Sequence, residues 1–102
     1  MQIRSLKISK EIQKILSLQI LKSPAFITIL NVKMSKNLKN AMIFFSLFGP
    51  EELCKKTLHW IKFNSASLQH MLSQNLKIRH TPNLSWYFVN NKNEGSIINK
   101  II

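Results

Sequence analysis

Side chains able to do covalent or acid–base work are few in this sequence and far apart. The carboxylates are Glu11, Glu51, Glu52 and Glu94. Acid–base catalysis by carboxyl groups needs a close pair in contrasting environments, and none of the four forms a pair with periodic support. Cys54 is the single cysteine, with His59 five residues on. On a helix that step puts them on different faces, whereas a Cys–His nucleophile needs hydrogen-bond reach and a third, orienting group. One cysteine also excludes an intrachain disulfide and a cysteine-rich metal site, which suits a reducing cytoplasm. His59 and His70 have no Cys, His or carboxylate set at ligand spacing around them and read as surface or packing histidines. No P-loop or dinucleotide fingerprint is present. The expectation is a protein that is not an enzyme, with no metal, cofactor or small-molecule substrate.

The chemistry that does stand out is cationic. Lys and Arg number 15 against 4 Asp and Glu, for a net charge of +11 on 102 residues. Such an excess favours a polyanionic partner, either nucleic acid or an anionic membrane, although the high Lys, Asn and Ile content could also reflect coding bias. Lys7, Lys10 and Lys14 line one face of an apolar-striped segment, which could lie on a membrane or an RNA backbone, or be the solvated face of a core helix. Lys77, Arg79 and His80 alternate with Leu76 and Ile78 in an extended basic segment ahead of Pro82. The longest apolar runs are far short of a membrane span. The early charges are scattered, unlike those of a signal peptide.

The elements that must carry these residues follow from the patterning. Ile8, Ile12, Ile15 and Leu16 recur at helical spacing over residues 3–21, and Ser23-Pro24 ends the helix. Residues 25–34 and 38–48 read as strands around a Ser35-Lys36-Asn37 turn, forming an antiparallel hairpin. On the first strand Phe26, Leu30, Val32 and Met34 are expected to share one face. On the second, Ala41, Ile43, Phe45 and Leu47 oppose Met42, Phe44, Ser46 and Phe48. The second set is either covered or partly open, and an apolar face shielded by its own side chains fits better than a base-stacking platform, which would interleave aromatic and basic residues.

Gly49-Pro50 breaks the strand, and Pro50, Glu51 and Glu52 suit a helix start. Asn64, Ser65, Ala66 and Ser67 interrupt the following helical pattern with small and polar side chains, which predicts two helical pieces with a joint between them. Leu84 to Val89 reads as a third strand with Leu84, Trp86 and Phe88 facing the core. Ser96 to Ile102 is a short apolar tail, expected to be helical. The whole chain, 1–102, predicts a single α+β domain with a three-stranded sheet packed on helices, in the order α-β-β-α-kink-α-β with a short C-terminal helix. That is the arrangement of a K-homology domain, but the GXXG loop that clamps RNA in such domains is missing.

The sequence resembles the bacterial ribosome-binding factor A family over nearly its whole length. The match lies in SKEIQKIL at 9–16, Lys22-Ser23-Pro24, VKMSKNLKNAMIFF at 32–45, LKIRHTPNLSWYFV at 76–89 and Glu94-Gly95. The resemblance implies a type II K-homology-like fold in which an Ala-x-Gly kink replaces GXXG. The kink maps to Asn64, Ser65 and Ala66, with Asn64 in place of Ala and Ala66 in place of Gly. It implies a non-catalytic, cytoplasmic factor that binds the small ribosomal subunit and its ribosomal RNA, acts late in processing of the small-subunit precursor, and is associated with growth in the cold. By the same resemblance Lys7, Lys10, Lys14, Lys36, Lys39, Lys62, Lys77 and Arg79 are phosphate-contact candidates; such contacts position a protein and carry little base information. No membrane partner is expected, and the chain is expected to be monomeric. Two alternatives stand beside this reading. One is a general single-stranded RNA binder of K-homology type. The other is a basic structural domain that pairs with a protein or coats a membrane through its first helix.

Overall fold

Two proline-containing corners, Ser23-Pro24 and Gly49-Pro50, divide the first half of the chain into helix, hairpin and second helix. The computed structural model describes residues 3–76, 78, 80–92 and 95–101, apart from the side chains at 3–4, 91–92 and 95–97. Helix α1 spans Ile3–Gln19 and tightens into a 3-10 turn at Ile20–Lys22. Its stripe of Ile8, Ile12, Leu16 and Ile20 is buried. Strands β1 (Phe26–Met34) and β2 (Asn40–Phe48) pair antiparallel. Gly49, at φ 144°, takes a backbone conformation that L side chains rarely adopt and turns the chain into α2, Glu51–Asn75. Strand β3 (Asn83–Lys92) runs parallel to β2, and β4 (Gly95–Lys100) is antiparallel to β3, giving the order β1-β2-β3-β4. A parallel pair needs a crossover, and α2 supplies it.

The core lies between the helices and one face of the sheet. Phe45 is fully buried there, edge-on to Trp86 at 5.8 Å and stacked on Phe88 at 5.6 Å. Thr57, also fully buried, accepts the Ala25 N–H at 2.8 Å and donates to the Leu53 carbonyl at 2.7 Å, joining the corner before β1 to α2. The α+β class and the face assignments of β2 and β3 are as the patterning predicts.

Three expectations need correction. The joint at Asn64, Ser65 and Ala66 does not divide the helix, because α2 runs unbroken through it. Asn64 donates to the Trp60 carbonyl at 2.8 Å and Ser65 to the Lys62 carbonyl at 3.0 Å, so both side chains fold back on their own helix instead of capping a new one. Buried Ile61, Leu68 and Leu72 hold the turns on either side in one continuous stripe. The sheet has four strands, because the expected C-terminal helix is β4. A six-residue segment is too short to nucleate a helix well, its isoleucines favour extended backbone, and the free edge of β3 satisfies its backbone groups. On β1, Phe26 and Leu30 are exposed while Ile27, Ile29 and Val32 are buried. A bulge between Ile29 and Asn31 inserts one residue and reverses the alternation that simple period-two counting assigns.

Candidate nucleic-acid interface

The β1–β2 turn is built to be stiff. Ser35 exchanges bonds with Asn40 through its N–H (2.9 Å) and its Oγ (3.0 Å), and the Ser35 carbonyl accepts the Leu38 N–H at 3.0 Å. Asn37 Oδ1 accepts the Ser35 hydroxyl at 2.7 Å and the Lys39 N–H at 3.0 Å. Leu38 takes φ 61° and turns its side chain onto the core, while Lys36 and Lys39 stay exposed. The Lys39 carbonyl accepts the Asn83 N–H at 2.9 Å, which ties the start of β3 to the turn. From the other side Gln69 of α2 clamps the same entry, donating to the Pro82 carbonyl at 2.6 Å and accepting the Leu84 N–H at 3.0 Å.

These ties leave a furrow between α1, the turn and the segment leading into β3. Its larger part, about 600 Å3, is lined by Ile8, Asn37, Leu38, Lys39, Ile78, His80, Thr81 and Asn83. A shallower part of about 370 Å3 continues it along Lys7, Ile8, Glu11, Asn75, Leu76 and Ile78. Ile8 and Ile78 belong to both parts. Among the described residues the furrow therefore has an apolar floor, with Lys7, Lys39 and one carboxylate, Glu11, in its lining. Nucleic-acid interfaces combine cations for phosphates with apolar and amide groups for bases, and this furrow has all three.

Of the eight sequence-predicted contacts, Lys39 lines the larger part of the furrow and Lys7 the shallower part. Lys36 lies in the same turn. Lys10 and Lys14 are exposed further along α1, and Lys62 is exposed on α2. Lys77 and Arg79 fall outside the described residues. Asn37, Thr81 and Asn83 carry no signal in the sequence, because they become a site only when the turn and the β3 entry meet.

The other chemistry-bearing residues lie elsewhere. Cys54 points its Sγ to the Gly49 carbonyl at 3.5 Å, and His59 and His70 are exposed. Among the described residues no three His, Cys, Asp or Glu side chains gather to hold a metal ion, and no helix is long and apolar enough to cross a membrane. On the open sheet face Phe44 stacks on Tyr87 with centroids 5.2 Å apart, and the Lys33 ammonium sits 5.6 Å from the Phe44 centroid. Those aromatics are engaged with one another and with Lys33, as a self-shielded face requires.

Comparison with known proteins agrees with this architecture. The family model of ribosome-binding factor A matches residues 4–102. The chain is similar to ribosome-binding factor A of Caldanaerobacter subterraneus subsp. tengcongensis, at 29% identity over 100% of this chain and 88% of that protein. It is similar to the solution structure of a candidate ribosome binding factor A from Thermotoga maritima, with a TM-score of 0.67 and 27% identity over 93% of this chain and 94% of that one. A Thermus thermophilus ribosome binding factor A model, fitted into a cryo-EM map of a 30S complex, shares the fold with a TM-score of 0.61 at 20% identity, covering 82% of this chain and 89% of that one.

Proposed function

The chain belongs to the ribosome-binding factor A family, and from that premise we propose that it is a non-catalytic assembly factor of the small ribosomal subunit. In this reading it binds the subunit's ribosomal RNA in the cytoplasm, as a monomer, and assists late maturation of the small-subunit precursor. It needs no membrane and no small-molecule substrate. The observation that carries the reading is the furrow, where Lys7 and Lys39 flank an apolar floor beside the stiff β1–β2 turn. The family supplies the object bound, since the Thermus thermophilus relative was fitted into a 30S complex. Lys7, Lys10, Lys14, Lys36, Lys39, Lys62, Lys77 and Arg79 are the proposed phosphate contacts, and the whole of 1–102 acts as one K-homology-like domain.

Sedimentation tests the proposal. The chain is expected to travel with free small subunits, more strongly when they contain precursor RNA, and not with assembled ribosomes. Equal affinity for any unstructured RNA would replace this reading with a general RNA binder. Binding to anionic vesicles without RNA binding would replace both.

A further inference from the structure

The most exposed large apolar side chain among the described residues is Phe63, at 89%. It stands on the outward face of α2, away from the buried stripe of Ile61, Leu68 and Leu72. At helical spacing its exposed neighbours are Lys56 seven residues before, His59 four before, Ala66 three after, Ser67 four after and His70 seven after, with Lys62 adjacent, while Trp60, three before, is half-buried. From Leu53 to Asn75 the helix carries no Asp or Glu. An aromatic ring thus projects from a surface whose ionisable groups are all basic. Phe44 and Tyr87 are stacked together, but among the described residues Phe63 has no ring or cation partner.

We propose that Phe63 stacks an unpaired RNA base while Lys56 and Lys62 hold the flanking phosphates. The proposal deepens the RNA-binding reading above and rests on it. Cations alternating with a free aromatic face form the pattern that holds single strands without sequence preference. Charge selects the partner. A helix lying on a bilayer presents a face of several apolar residues, and here α2 has spent its apolar face on the core. The basic neighbours favour a polyanion, and a flat base is the polyanion group that a phenyl ring recognises.

The test uses the full chain, an oligoadenylate of about 12 nucleotides and purified small subunits. Phe63→Leu keeps an apolar side chain and removes the ring. It is expected to weaken oligoadenylate binding about 10-fold with the salt slope unchanged, because no phosphate contact is lost. Phe63→Trp is expected to retain affinity, and the introduced indole to be quenched on binding. Phe48→Leu, at a similarly exposed phenylalanine elsewhere, is expected to change nothing. Wild-type oligoadenylate affinity in Phe63→Leu would overturn the proposal. If the wild type sediments with small subunits but Phe63→Leu matches it on both probes, only this inference falls. If the wild type ignores subunits but its oligoadenylate binding depends on the ring, only the ribosomal assignment falls.

Discussion

The hydroxyl of Thr57 offers the sharpest test of how the two halves of the fold are joined. It is fully buried, accepts the Ala25 N–H at 2.8 Å and donates to the Leu53 carbonyl at 2.7 Å. Thr57→Val keeps the shape and removes both bonds. The Leu53 carbonyl keeps its helical partner, but the Ala25 N–H loses its acceptor in the interior, which costs about 1–3 kcal/mol. Thr57→Ser keeps both bonds and loses one buried methyl group, for about 1 kcal/mol. The expected order of stability is wild type, then Thr57→Ser, then Thr57→Val. Urea denaturation followed by circular dichroism measures it, with equal m-values showing that the unfolded state is unaffected. Each 1 kcal/mol should also lower Tm by about 4–8 °C. If Thr57→Val equals or exceeds Thr57→Ser, the hydroxyl is not what joins the β1 corner to α2.

Three further outcomes follow from the same geometry. Gln69→Ala removes both bonds that clamp the β3 entry and is expected to cost about 1–2 kcal/mol, with amide exchange accelerated at Leu84; unchanged exchange there would contradict the clamp. Ala66→Gly restores the residue that the family resemblance implies, but on an exposed turn of continuous helix it should destabilise by about 1 kcal/mol, whereas a gain in Tm would point to a strained bend at that position. Lys7→Gln combined with Lys39→Gln should weaken RNA binding and flatten its log–log salt dependence by about 1.4; an unaltered slope would remove the furrow from the phosphate path.

How much of this was legible beforehand depended on the range of the interactions involved. The α1 stripe, the alternation of β2 and the Pro50-Glu51-Glu52 helix start follow from neighbouring residues, and period and turn chemistry predict them. The bulge in β1 does not, because nothing in Phe26–Met34 marks where one residue is skipped; pairing with β2 decides it. Asn64 and Ser65 signalled a break because their side chains compete for backbone groups. That competition went to carbonyls of the preceding turn, while core contacts from Ile61 and Leu68 kept the helix intact. The tail became a strand because an unpaired edge of β3 was available, which is a tertiary fact. Of the candidate site only a list of cations was legible, two of which, Lys7 and Lys39, line the furrow. The furrow itself was not, since Asn83 and Lys39 meet only through the parallel β2–β3 register.

That bulge has a consequence for how copies of the chain behave in company. As the first strand of the sheet, β1 offers nine residues of edge, with Phe26 and Leu30 exposed along it. A long flat edge of this kind is a template on which another chain can add a strand and start aggregation. At Leu30 the spacing of hydrogen-bonding groups slips by one residue, and the Asn31 side chain accepts the Val32 N–H at 2.9 Å. An incoming strand in register with Phe26–Ile29 is therefore out of register beyond Asn31. Only two short, mismatched stretches remain for it to pair with, so the irregular residue protects the isoleucine-rich sheet from polymerising along its own edge.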